Sequence, residues 1–308
     1  MIWIFFALLG ALANAGYFIV VKKYITALDP RLLTGIGFTL AGCMLFLLSA
    51  ARGFPVLGPD FVGAVSVTLA LNIIGLLLIF KALSSSDLSL SVPMLSFTLA
   101  FLVGTSYLLL NEVPSFFGVM GIGIIVSGSY VLNIAEGHEH FLDPVRSMVR
   151  NRGSWFMLIV AFLFAISINF DKIVLLNSDP FFGMALTILL IGIAFLIVSA
   201  YSRCRDRHGF PARSADEFGP PGPVVSPLSR RRFAGLCLLI GLFVTLEGAA
   251  INIAYTLQIV PYVIAIKRLS IIFMVLYGTL VFSEEDIQKR ILGAALMVAG
   301  AVIILLFA

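Results

Sequence analysis

Charge is what this chain lacks. Only 12% of its 308 residues are Asp, Glu, Lys or Arg, while 60% are apolar and the mean hydropathy is +1.10. Soluble domains carry roughly twice that share of charge, so the composition excludes a soluble globular domain and points to a lipid bilayer. Cysteine is scarce as well. Cys43, Cys204 and Cys237 have no spacing that suits a disulfide framework or a metal site. The three histidines, His138, His140 and His208, all fall between apolar runs. The Glu136, His138, His140 group reads as a solvated acidic loop, so no metal and no cofactor is implied. Without convergent His, Cys, Ser or metal-ligating groups, the chain is not expected to be an enzyme. Its formal charge of +4 sits mostly beside apolar runs, where it sets membrane orientation, and it carries no sign of nucleic-acid binding.

What the chain does have is apolar length. A helix needs about 20 largely apolar residues to cross roughly 30 Å of hydrocarbon, and ten such runs are present: 2–26, 31–50, 61–83, 88–110, 115–134, 154–176, 181–201, 233–257, 260–282 and 288–307. Continuous runs of this kind predict helices; a β-barrel would show short alternating strands. The opening MIWIFFALLGALANA ends in small residues like a cleavage site, but it lacks a basic leader and is read as a retained first helix. Lys and Arg are lopsided between the loops. Fourteen follow runs 1, 3, 5, 7 and 9, and only Arg52 lies on the other side. The positive-inside rule therefore predicts a multi-pass protein of the plasma (bacterial inner) membrane with both termini outside.

The chain also repeats itself. An offset of 150 lays KKYITALDP (22–30) on KIVLLNSDP (172–180), matching Lys22 to Lys172 and one Asp-Pro pair to the other. An offset of 172 lays EVPSFFGVMGIGIIVSG (112–128) on EEDIQKRILGAALMVAG (284–300), matching Glu112 to Glu284, Gly121 to Gly293 and Gly128 to Gly300. The offsets differ because the second half holds an insert, 202–232, rich in Pro, Gly and Arg and read as a flexible linker. The expected organisation is a first five-helix repeat over 1–134, a cytoplasmic connector over 135–153 and a second five-helix repeat over 154–308. Five is odd, so the second repeat would enter the membrane inverted, with Trp3 and Trp155 at opposite interfaces. Inverted repeats are a hallmark of secondary transporters.

These motifs carry a resemblance. A Pro-containing helix 4 (VPMLSFTLAFLVG, 92–104), a Glu at its end, the Gly-spaced helix that follows and its recurrence at 284–300 are similar to the EamA family of the drug/metabolite transporter superfamily. The resemblance implies an all-α polytopic fold, ten transmembrane helices in two inverted five-helix repeats around a central cavity, and solute transport by alternating access without ATP hydrolysis.

Charges inside the runs mark where a solute would bind, because an ionisable group in hydrocarbon is costly and normally faces a cavity or a partner. Counting about 1.5 Å per residue from the nearest run end puts Lys267, Arg268, Asp171, Lys172 and Glu247 in one slab, about 10–16 Å inward, with Lys22 about 10 Å from the opposite face. Lys22, Lys23, Lys172, Lys267 and Arg268 outnumber Asp171 and Glu247, so the group reads as a cationic site. Lys267 and Arg268 lie about 100° apart on a helix; one is expected to pair with Glu247 and the other to face the solute. Asn14, Tyr17 and Asn252 are further candidate contacts, with hydrogen bonding between helices the competing role for the asparagines. Glu112 and Glu284, at run ends, read as landmarks of the repeat.

A narrower resemblance follows from the Lys267-Arg268 pair, the NFDK segment (169–172) and NAGYFIVVKK (14–23), which are similar to the triose-phosphate and nucleotide-sugar branch of the same superfamily. It implies phosphate binding by Lys172, Lys267 and Arg268. The sequence thus predicts a secondary transporter of a small anionic or amphoteric metabolite, phosphorylated ones included, whose partners are the solute and the bilayer. A proton-coupled exporter of amino acids or amphiphilic metabolites and drugs is the alternative.

Overall fold

Lipid offers no hydrogen-bond partner to the backbone, so apolar runs of this length must close their hydrogen bonds within a helix. The computed structural model describes residues 2–24, 30–85, 92–134, 152–207, 230–274, 277 and 287–307. They are helical almost throughout, with no strand among the described residues. We number the helices α1 (Ile2–Tyr24), α2 (Pro30–Arg52), α3 (Phe61–Ser85), α4 (Thr98–Leu110), α5 (Phe116–Ile134), α6 (Arg152–Leu176), α7 (Phe182–Arg207), α8 (Arg230–Leu257), α9 (Val260–Lys267) and α10 (Ile287–Phe307). Six of them, α1, α2, α3, α6, α7 and α8, are each long and apolar enough to cross a membrane; α4, α5 and α10 are shorter apolar helices. Helix enters both ends of the stretch read as the 202–232 linker, since α7 continues to Arg207 and α8 begins at Arg230. Residues 135–151 and 208–229, and with them Glu136 and all three histidines, lie outside the described residues, as does Glu284.

Two runs depart from a single continuous helix. The fourth opens as a 3₁₀ helix over Val92–Phe97 before α4 begins. The ninth starts with Pro261 in its first turn, where a missing N–H costs nothing, and then stops at Lys267. Beyond it the amides of Leu269, Ile271 and Ile272 each donate 3.0 Å to the carbonyl three residues back, the tighter 3₁₀ pattern. At the 172 offset, 264–269 is the counterpart of 92–97. The two breaks therefore lie close to each other under this offset without coinciding: 264–267 is still α-helical, and only 96–97 and 268–269 are interrupted in both halves.

Packing follows the same correspondence. A Cβ added to Gly121 would lie 2.7 Å from the Gly300 carbonyl oxygen, and one on Gly128 would lie 2.6 Å from that of Gly293. Under the 172 offset each of these contacts becomes the other. On the other flank, α2 meets α7 where a Cβ on Gly42 would lie 3.0 Å from the Ala185 oxygen and one on Gly192 would lie 3.1 Å from the Gly35 oxygen. These two contacts interchange under the 150 offset. Between the flanks α1 packs on α8, and α6 packs on α3. Small residues at helix crossings let backbones touch, which supplies the dispersion contact that holds helices together where lipid is as apolar as leucine. The face holding the α2–α3, α4–α5, α6–α7 and α8–α9 connections also holds the C-terminus, since Ser115 Oγ donates 3.3 Å to the Phe307 carbonyl.

A leucine at Gly121 or Gly300 should force α5 and α10 apart, at about 1–3 kcal/mol for overpacking. Thermal unfolding of purified protein should show a clear loss of Tm for either variant. Gly63→Leu, at a position with nothing within 4 Å of an added Cβ, should leave Tm unchanged.

Candidate functional site

The break in the ninth run points its two cations in different directions. Lys267 Nζ lies 2.6 Å from Glu247 Oε1 on α8, and Asn14 Nδ2 on α1 donates 2.9 Å to the same oxygen. One carboxylate thus ties α1, α8 and α9 together. The Lys267 and Glu247 side chains are 28% and 16% exposed, so the pair is mostly but not fully enclosed. Arg268 turns to the other break. Its Nη2 donates 3.2 Å to the Leu95 carbonyl in the 3₁₀ segment, and among the described residues no carboxylate lies within ion-pair distance of it. Leu95 is the repeat counterpart of Lys267, so the two interrupted helices face each other through this hydrogen bond.

Lys172 is engaged elsewhere. Its Nζ lies 2.5 Å from Glu112 Oε1 and donates 3.1 Å to the Gln258 carbonyl. Glu112 Oε2 accepts the backbone N–H of Val260 at 2.7 Å, capping the start of α9 with a carboxylate, the charge that a helix N-terminus favours. The geometry that permits this is local. α4 ends at Asn111 in the left-handed region, φ 53°, which Asn tolerates better than most residues, and the amides of Asn111 and Glu112 return to the carbonyls of Tyr107 and Ser106. Both side chains are nearly enclosed, 11% and 10% exposed. Glu112, a repeat landmark in the sequence, is thus one of the most heavily used polar side chains in the fold.

Asp171, one residue before Lys172, points into a hydroxyl network between α3 and α6. Thr68 Oγ1 lies 2.5 Å from Asp171 Oδ1 and 2.8 Å from Ser167 Oγ, to which Asn72 Nδ2 also donates at 2.8 Å. Among the described residues no cation lies within ion-pair distance of Asp171. Asn252 Nδ2 donates to the Pro180 carbonyl at 3.0 Å, a tie between α8 and the α6–α7 connection. Tyr17 packs against Phe38 and shares a hydrogen bond with Thr34. Only the backbone of Lys22 and Lys23 is described. The structure therefore brings Asn14, Glu247 and Lys267 together, sets Arg268 beside them on the next residue, and separates Lys172 and Asn252 from that group. Asn169 forms a buried clamp between α4 and α6, donating 2.9 Å to Thr105 Oγ1 and accepting from Ser106 Oγ at 2.6 Å.

The electrostatic balance changes accordingly. With Glu112 included, the described interior holds three cations, Lys172, Lys267 and Arg268, and three carboxylates, Glu112, Asp171 and Glu247. Two cations have carboxylate partners, leaving one guanidinium and one carboxylate without an ion-pair partner among the described residues. Removing one member of an enclosed pair strands the other, typically at a cost of about 3–5 kcal/mol. Glu247→Ala should therefore lower Tm more than the double substitution Glu247→Ala/Lys267→Met. A thermal double-mutant cycle checks this, and additive losses would dissolve the pair.

Comparisons with known proteins agree with this architecture. A solved structure described as "Crystal structure of protein" superposes with a TM-score of 0.72 at 16% identity, covering 99% of this chain and 97% of that one; at that identity the likeness establishes the fold. No curated protein matches the sequence. A family model matches part of the chain: residues 1–134, less than half of it, fit the EamA-like transporter family. With six helices long and apolar enough to cross a membrane, the chain is a multi-pass integral membrane protein that is similar over residues 1–134 to transporters of the drug/metabolite transporter superfamily.

Proposed function

We propose that this protein is a secondary transporter that moves a small anionic or amphoteric metabolite by alternating access, and that its two five-helix halves are inverted copies rocking about a site at the paired helix breaks. The observation that carries the reading is Arg268: a half-buried guanidinium, at a break in the ninth run, with no carboxylate partner among the described residues. Arg suits a planar anionic group, which it grips through two parallel N–H bonds. Contacts that interchange under the two repeat offsets support the inverted arrangement, and interruptions in both the fourth and the ninth runs are the feature expected of transporter sites built from discontinuous helices. Glu247 holds Lys267 beside the site, and Asn14 fixes the carboxylate.

The charge balance favours a solute with a single anionic group, or one carrying both signs, over a multiply charged phosphate ester. A triose-phosphate type of grip would enlist Lys172, whose ammonium is held by Glu112 and the Gln258 carbonyl. A specific observation also favours the second reading, a proton-coupled exporter of amino acids or amphiphilic metabolites: Asp171 has hydroxyl partners but no ion-pair partner among the described residues. It is free to receive an ammonium group or a proton.

A thermal-shift screen of purified protein against carboxylates, amino acids, phosphorylated sugars and nucleotides should find stabilisation by mono-anionic or amphoteric compounds, since a ligand that binds only the folded state raises Tm. Arg268→Ala should lose that stabilisation and abolish uptake of the same compound into vesicles, while still inserting. Undiminished uptake by this variant would remove Arg268 from the site. If Asp171 carries a proton or an ammonium group, Asp171→Asn should abolish dependence of uptake on a pH gradient or selectively weaken compounds bearing an amine; an unchanged profile on both counts would reject the second reading.

A further inference from the structure

We infer that Glu112 is a gate residue: with Lys172 and the first amide of α9 it forms a latch that holds the face carrying the C-terminus closed and breaks when that face opens. The inference rests on the transporter reading but concerns side chains outside the solute site. One carboxylate bridges three elements that meet at this face, the α4–α5 corner, α6 and the start of α9. Lys172 extends the bridge to the α8–α9 connection through the Gln258 carbonyl. Around it the same face is held by further polar ties. The Gly58 amide donates 2.9 Å to the Asn177 carbonyl, and the Ser115 amide donates 2.7 Å to Tyr262 Oη.

Contacts of this type can separate, because each partner regains water when the face opens. The glycine-lined crossings of α2 with α7 and of α5 with α10 cannot exchange their contacts so cheaply, since they consist of close backbone packing and suit axes that stay intact. Enclosed ion pairs also add little net stability over well-packed apolar groups, so a pair at this place is poorly explained as a fastener alone. Finally, charge at both latch positions recurs in the other half of the sequence, Lys22 for Lys172 and Glu284 for Glu112, whereas Lys267 and Arg268 have Leu95 and Ser96 as counterparts. A solute contact is needed once, but a transporter must be able to close on either face.

The test uses spin labels and needs no solute, so the latch and the transport reading can fail separately. Cys43, Cys204 and Cys237 are replaced by Ala, and labels are placed at Val113→Cys and Leu257→Cys, exposed positions flanking the latch. Double electron–electron resonance on the full chain in lipid nanodiscs should give a principal short distance. In Glu112→Gln/Lys172→Met, which leaves no buried lone charge, that distance should lose most of its amplitude to a longer one. Glu112→Asp keeps the charge but shortens the arm, and should shift the distribution in the same direction to a lesser extent. An unaltered distribution in the double variant overturns the latch; if that variant fails to fold, an unaltered distribution in Glu112→Asp overturns it instead.

Discussion

A polar group inside hydrocarbon must find its partner within the protein, and this constraint shapes every part of the molecule. It forces the apolar runs into helices and makes any interruption of a helix a liability unless something meets the freed backbone. Both interruptions here are met. The Leu95 carbonyl in the 3₁₀ segment accepts both the Thr98 hydroxyl, at 2.7 Å, and the Arg268 guanidinium, while beyond Lys267 the amides of Leu269, Ile271 and Ile272 are met by the carbonyls three residues back. The breaks are tolerated because they face inward, where side chains from the opposite half can reach them. The same constraint explains the glycine crossings, since helices sharing a lipid environment associate through close contact and not through expulsion of water.

Within this frame the glycine contacts interchange under the repeat offsets, but the chemistry at matched positions does not. Asn14 and Glu247 meet between α1 and α8; their repeat counterparts, Phe164 and Gly75, meet between α6 and α3 as an apolar contact. Conversely, Thr68, Asn72, Ser167 and Asp171 form the hydroxyl network between α3 and α6, and their counterparts Ile240, Val244, Tyr17 and Val21 belong to an apolar cluster between α1, α2 and α8. Each interface therefore accepts either polar or apolar filling at the same crossing. Packing at these crossings does not demand the charges where they stand.

Much of the helical frame was legible because a run of apolar residues leaves the backbone one satisfactory conformation. The ends of α1, α3, α5, α6 and α10 lie within a few residues of the runs that predicted them. The divergence of Lys267 and Arg268 was legible too, from the 100° step of a helix. The breaks at Val92–Phe97 and after Lys267 were hidden, since apolar composition is indifferent to whether a turn is α or 3₁₀; Pro93 was the only local hint. The role of Glu112 was hidden for a different reason. Depth counted from run ends placed it at a boundary, while its partners Lys172 and Val260 stand 60 and 148 positions away in the chain. No local pattern records a helix cap supplied from the other half.

The unmatched guanidinium fixes one more property of the interior. A guanidinium has several N–H donors and no way to lose its charge at ordinary pH, and among the described residues Arg268 spends them on a single carbonyl. Lipid cannot take the remainder, and an enclosed dry pocket would leave them stranded at a cost of several kcal/mol. On the proposal that Arg268 contacts the solute, its remaining donors are the ones a polar solute would meet beside the breaks of helices 4 and 9. Lys267, on the adjacent residue, is 28% exposed although its ammonium is paired. The break also suits the contact that Arg268 makes: a carbonyl tilted out of its helix is tolerated where a guanidinium can share it, as at Leu95, and would have no such partner on a lipid face.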